Sequence, residues 1–305
     1  MAAEPTLRDF SATSRLGLLL AVVGSVSYGL IITATRLAYD AGSNPITVIV
    51  ARAAVPAVFI ALVMLARRQA FRLAPGAFWP VVGIALGQLG ITIGYLGAVA
   101  FIPVSLAALV FFAHPVLVAV VLGVFGHSRV GWTAGLAFAA AFVGLTLALA
   151  PSFGLLDPRG LALAACSAVS GTLLILATDR LPAAQQVLPV GLYMNLFALA
   201  VVGPYALLTD GFAAPLGALG WGALTFVCLA YLVAFFGIVG AIRFAGALRA
   251  ALVFNLEPVI AIVSAIAILG EALNLLQVAG VCLVFAALTL ATLAERPRPA
   301  LAPPA

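Results

Sequence analysis

Glu257 sits near the middle of an apolar run, Phe244 to Glu271, with Asn255 and Pro258 beside it. In lipid every polar group must find a partner inside the protein, and a carboxyl at mid-depth is costly. Being cheaper neutral than charged there, such a group suits a proton site that alternates with a substrate. It suits equally well a structural anchor at the Pro258 kink, and both readings stand. His114, followed by Pro115, lies in a second apolar run. It can exchange a proton, pair with Glu257 if the two helices face each other, or bond a neighbouring carbonyl. Arg52 lies inside a third run. It can bind a substrate carboxylate bidentately, or snorkel outward and cap carbonyls. Gln88, Tyr95, Tyr193, Asn195 and Tyr231 complete the polar groups within apolar segments and are candidate pocket donors. Pro115 and Pro258 each remove one helical hydrogen bond, freeing the carbonyls of Phe111 and Phe254.

The elements that must position these residues follow from composition. The 305 residues are 65% hydrophobic and 8% charged, against about 25% charged in a soluble domain. This is the composition of an integral membrane protein. Its basic residues are all Arg, so the net charge of +5 speaks of orientation in a membrane, not of nucleic acid. Cys166, Cys228 and Cys282 all sit in apolar runs without CxxC spacing, so neither a disulfide frame nor a metal site is expected.

The apolar runs predict ten spans, each near the ~20 residues a bilayer needs. They cover Leu16–Thr35, Ile46–Ala66, Phe78–Val99, Val104–Phe125 and Trp132–Ala150, then Gly160–Thr178, Val187–Leu208, Leu219–Ile242, Gly246–Leu269 and Leu273–Leu293. A polar turn, Pro151 to Arg159, separates the halves, and the Pro-rich tail Glu295 to Ala305 reads as disordered. With both termini inside, ten Arg fall in cytoplasmic segments (8, 15, 67, 68, 72, 129, 180, 243, 296 and 298) and only Arg36 and Arg159 outside. The bias predicts cytoplasmic termini.

The chain also repeats itself. FIPVSLAALVFFAHPV at 101–116 overlays FAGALRAALVFNLEPV at 244–259 without a gap, at an offset of 143. The same offset pairs His114 with Glu257, Arg52 with Asn195 and Gln88 with Tyr231, and Ser27 with Ser170. Five spans per half means the second half enters the membrane from the opposite side. The expected fold is therefore an all-α membrane protein of ten transmembrane helices in two inverted-topology repeats, residues 16–150 and 160–293, with tails 1–15 and 294–305. The third span adds Gly83, Gly87, Gly90, Gly94 and Gly97, all on one helical face, which predicts close helix packing.

With Glu257-Pro258, Gly270-Glu271 ending the span and Gln277-Val278-Ala279-Gly280 opening the last helix, the sequence resembles the drug/metabolite transporter superfamily, and within it the ten-helix EamA-type exporters. Arg52 falls where that family has its second-helix Arg. The resemblance covers about Leu16 to Leu293. In the first half the family usually also reads Glu-Pro and Gly-Glu, where this chain has His114-Pro115 and Gly126-His127. The resemblance implies export, and a His/Glu asymmetry in place of two carboxylates.

The expected function is secondary transport of a small organic metabolite such as an amino acid across the inner membrane, by alternating access with proton coupling. The alternative is an uncoupled uniporter of the same fold. Expected partners are the small-molecule substrate, protons and the lipid bilayer. No cofactor and no nucleic acid are expected, and the chain has no P-loop through which ATP could drive it. An intramembrane enzyme built on Ser170-Gly171 with His114 is the remaining reading; its GxSG signature is broken by Ala168.

Overall fold

The computed structural model describes residues 12–114, 117–118, 120–121, 136, 139–140, 143–144, 146–147, 157–182, 184–245, 250, 253–254 and 256–294. Asn255, Pro115, Gly126, His127, most of the expected fifth span and both tails lie outside the described residues.

Those residues are all helix, turn or loop, with no strand among them. The helices are α1 (Ala12–Asp40), α2 (Pro45–Ala66), α3 (Phe78–Ile91, extended by a π-helical turn Thr92–Leu96), α4 (Val104–Phe111), α5 (Pro158–Thr178), α6 (Val187–Leu208), α7 (Gly217–Ala245), α8 (Leu256–Leu269) and α9 (Leu275–Ala294). Six are long and apolar enough to cross a membrane, namely α1, α2, α3 with its π turn, α5, α6 and α7, and α8 and α9 are shorter apolar helices. Exposed Leu62, Leu65, Leu207, Leu208 and Trp79 belong in hydrocarbon or at its edge, since water would penalise them. The protein is a multi-span membrane protein.

Helix starts follow local chemistry. Asn44 accepts a hydrogen bond from Thr47 N at 2.9 Å with Pro45 in the first turn, and Asp157 accepts from Arg159 N at 2.8 Å with Pro158 next. Asn274 and Gln277 form a reciprocal box, each side chain accepting the other's backbone N–H. The start of α4 is capped from a distance. Glu271 accepts from Val104 N (2.6 Å), Ser105 N (3.0 Å) and Ser105 Oγ (2.6 Å). Gly270, at φ +70°, ends α8 in a backbone conformation that glycine tolerates best, so that the next residue can reach α4.

The expected continuous fourth span, Val104–Phe125, is interrupted. α4 stops at Phe111, Phe112 and Ala113 form a turn, and helix resumes at His114, 117–118 and 120–121. Pro115 supplies the cause, since it lacks an N–H for the Phe111 carbonyl. That carbonyl takes the ring of His114 instead, with Nδ1 2.9 Å away.

Loops tie the halves together at both ends. At one end the α1–α2 and α6–α7 loops bond through Asn44 Nδ2 to Gly211 O (2.8 Å), Ala213 N to Thr47 Oγ1 (2.8 Å) and Leu216 N to Ala41 O (2.7 Å). At the other, the α2–α3 and α5–α6 loops bond through Gln69 and Gln186 (2.5 Å) and Ala74 N to Gln185 (2.8 Å). α1 and α5 therefore end at opposite ends of the bundle. α1 packs along α7 and α8, α5 along α3 and α4; α2 meets α6 and α7, α6 also meets α3, and α4 meets α8.

All five glycines of the third span, four in α3 and its π turn and Gly97 just after, face α5, as their spacing predicts. A Cβ at Gly83 would come within 2.9 Å of Ala177 Cβ, at Gly87 within 2.8 Å of Ser170 O and Leu174 N, and at Gly94 within 2.5 Å of Leu163 O. Gly90 abuts Ser170 and Gly97 abuts Leu163. A Gly87→Ala variant must therefore push two backbones apart. It should lose about 1–3 kcal/mol, read as a lower Tm of the detergent-solubilised protein. Gly222→Ala, with open space around its Cβ, should leave Tm level or slightly raised. Equal Tm values for the two variants would contradict this packing.

Candidate functional site

α2 buries Val48, Ile49, Arg52, Ala53 and Pro56 on one face, and this spacing turns the single cation of that face inward. Arg52 is 6% exposed. Its guanidinium carbon lies 4.3 Å above the ring of Tyr231 on α7, and Nη1 donates to Thr92 Oγ1 at 3.1 Å. Arg52 does not snorkel to the membrane edge, because a ring face and a hydroxyl meet it inside. A desolvated cation–π contact is worth about 2 kcal/mol or more. Nε of Arg52 is buried with no hydrogen-bond partner among the described residues.

Thr92 opens the π turn of α3. Its hydroxyl donates to Gln88 O (2.8 Å) and accepts from Gln88 Nε2 (3.3 Å) as well as from Arg52. All its hydrogen-bonding capacity is thereby used. π turns widen a helix locally and recur at functional positions; this one carries Thr92 at its first residue and Tyr95 near its end.

Tyr231 is 2% exposed, and its hydroxyl lies beside Asn195 and Arg52. Asn195 on α6 donates Nδ2 to Gly191 O at 2.8 Å. Tyr28 of α1 meets Tyr231 edge-on at 6.1 Å and Phe254 at 6.4 Å.

Glu257 occupies the first turn of α8 and is half-buried. Its backbone carbonyl presses on Gly29 of α1, where a Cβ would fall within 2.7 Å. The carboxyl shares its electrostatic surroundings with Arg52, Tyr28 and Tyr95. Arg52 and Glu257 make no direct ion pair. A cation and a carboxyl group thus share one interior without an ion pair between them.

His114 is half-buried, 4.9 Å from the Phe111 ring, and a Cβ on Gly171 of α5 would stand 3.1 Å from its Cγ. A carbonyl only accepts, so Nδ1 carries the hydrogen toward Phe111 O and, in the neutral ring, Nε2 keeps its lone pair. Thr172 Oγ1 donates to His114 O at 3.3 Å. Tyr95, 8% exposed, stacks on Phe111 at 4.7 Å. No hydrogen bond joins His114 to Glu257 or to Ser170 among the described residues, and Ser170 packs against Gly90 instead. The serine/histidine pair of the enzyme reading is therefore not assembled here.

Of the candidates read from sequence, Arg52, Gln88, Asn195 and Tyr231 form one connected cluster, with Glu257 in its electrostatic range. Tyr95 and His114 flank Phe111 beside it. Tyr193 stands apart, with its hydroxyl on Phe71 O at 2.9 Å. Thr92 and Tyr28 join the site without having been singled out. The signal for Thr92 was its place four residues after Gln88; for Tyr28 it was its position beside Gly29.

Replacing Thr92 with Val keeps the shape and deletes the acceptor for Arg52 Nη1. We expect about 1–3 kcal/mol of destabilisation from the orphaned donor. It would be read by thermal unfolding beside a Thr178→Val control, whose hydroxyl bonds only the carbonyl of Leu174. Matching losses for the two would remove Thr92 from the site.

A solved crystal structure of a protein matches 93% of this chain and 100% of its own length, with a TM-score of 0.64 at 19% identity; at that identity the likeness concerns the fold alone. No curated protein matches the chain. The model of the EamA-like transporter family matches residues 158–293, from the start of α5 to the penultimate residue of α9. Residues 158–293 are thus similar to the EamA-like transporter family.

Proposed function

We propose that the protein is a secondary transporter that exports a small zwitterionic metabolite, such as an amino acid, across the inner membrane by alternating access. In this reading ten spans form two inverted repeats, 16–150 and 160–293, with both termini cytoplasmic. The helix pairings support it. α1 on α7 has its mate in α5 on α3, α1 on α8 in α5 on α4, and α2 on α7 in α6 on α3. The loop bonds agree, because they join loops that are not equivalent in the two halves. Inverted halves of this kind enclose a site that rocking can expose to either side.

The observation that carries the proposal is the separated pair in the interior. Arg52 is buried with Nε open, and Glu257 shares its field without contact. A buried charge is costly unless something pairs with it. A substrate carrying a carboxylate and an ammonium group supplies both missing partners at once. The carboxylate would meet the planar donors of Arg52, and the ammonium would meet Glu257. Proton uptake at Glu257 would then release the ammonium and couple flux to the pH gradient. Gln88, Asn195, Tyr231, Tyr95, His114 and Asn255 complete the proposed lining.

Reconstituted vesicles test this directly. Glu257→Gln should abolish transport driven by an imposed pH gradient while the protein still folds. Arg52→Lys should raise KM for amino acids by roughly ten- to a hundredfold, the loss of one charge-assisted bidentate contact, with little change for the corresponding amino amides. Unchanged proton-driven flux in Glu257→Gln would overturn the coupling. Wild-type flux indifferent to the gradient would make the protein a uniporter.

A further inference from the structure

α2 and α6 do not close against each other along their whole length. Between them lies a cavity of about 380 Å³, walled by Ala54, Ala57 and Ala61 of α2, Leu192 and Leu196 of α6, and Phe71 of the following loop. It does not include the Arg52 cluster. Its rim faces outward, since Val58 is 61% and Leu196 43% exposed. Three alanines on one helical face leave the hollow, and the larger residues around it form the walls. A groove of this shape, apolar and open to the bilayer, accepts a hydrocarbon chain.

One end of the groove is marked by charge. Phe71 closes it, held in place by the bond from Tyr193 Oη to its carbonyl, and Arg72 is the next residue. α2 ends at Ala66, about 7.5 Å beyond Ala61 at 1.5 Å per residue, and Arg67 and Arg68 follow it in a turn. All three arginines are exposed, and no ion pair engages them among the described residues. The loop bonded across from them, 179–186, carries Asp179 and Arg180, which cancel, so this end stays three charges positive.

We infer that the α2–α6 groove seats one anionic phospholipid of the surrounding bilayer, its acyl chain between the helices and its phosphate at Arg67, Arg68 and Arg72. The chemistry of both ends selects this occupant. A free phosphate would have no use for the apolar hollow, and a neutral lipid none for the arginines. Arginines near a membrane surface hold anionic headgroups by about 1 kcal/mol each. Three of them correspond to roughly a hundredfold preference over a neutral headgroup of the same chain length.

The test uses the full-length protein in mild detergent, delipidated and then titrated with phosphatidylglycerol or phosphatidylcholine of identical acyl chains. Native mass spectrometry reads bound lipid, and thermal unfolding reads stabilisation. The wild type should retain phosphatidylglycerol roughly a hundredfold more tightly than phosphatidylcholine. The surface triple variant R67Q/R68Q/R72Q should lose that preference and keep its fold, shown by an unchanged Tm without lipid. Ala57→Trp, which fills the hollow, should weaken both lipids alike. Equal binding of the two lipids by the wild type would overturn the inference, as would full preference in the triple variant. So would a dimer in detergent that Ala57→Trp dissolves, because the groove would then belong to a second copy of this chain.

Discussion

A guanidinium inside hydrocarbon has few tolerable positions, and the organisation of this protein follows from the one that Arg52 occupies. The cation rests on the face of Tyr231 and donates to Thr92. Those contacts draw α2, α3 and α7 to one point, and Asn195 on α6 joins through Tyr231. None of these helices gains by leaving, because departure strands a charge in a medium that cannot solvate it. The π turn in α3 fits the same constraint. It places Thr92 toward the cation while the glycine face of that helix stays against α5.

The two kinds of helix seam in the bundle have different work to do. α3 and α5 approach so closely that the glycines leave no room for a methyl group at several levels. Contact of that kind fixes a pair of helices as one body. α2 and α6 meet through alanines and branched residues and leave space between them. Both seams join the first half of the chain to the second, the glycine seam fixing α3 to α5 and the alanine seam leaving room between α2 and α6. Arg52 and Glu257, from different halves of the chain, lie within electrostatic range of each other inside the bundle.

Much of this was legible in the sequence. Apolar length located the long helices, the spacing of five glycines named the face that packs, and Pro115 announced a freed carbonyl at Phe111, which His114 takes. The departures have a common physical origin. Length and hydropathy alone read Val104–Phe125 as one span and pass over the break at Phe112, because that break follows from one missing N–H at Pro115 and not from the apolar content of the run. They cannot tell a snorkelling arginine from one held by a ring, because Tyr231 is 179 residues away in the chain. Thr92 was easily passed over for a related reason: a threonine in an apolar helix ordinarily bonds its own backbone, and only the incoming cation gives it a second duty. Asn255, adjacent to the most prominent acid, lies outside the described residues.

The carboxylate of Glu271 holds α4 mainly by that helix's backbone, through the N–H groups of Val104 and Ser105, with one hydroxyl besides. A grip on the main chain is indifferent to most of what the helix displays. From Leu106 to Phe111 the side chains are held by core packing, not by the anchor. Where the helix begins is thereby set separately from what its buried face must fit.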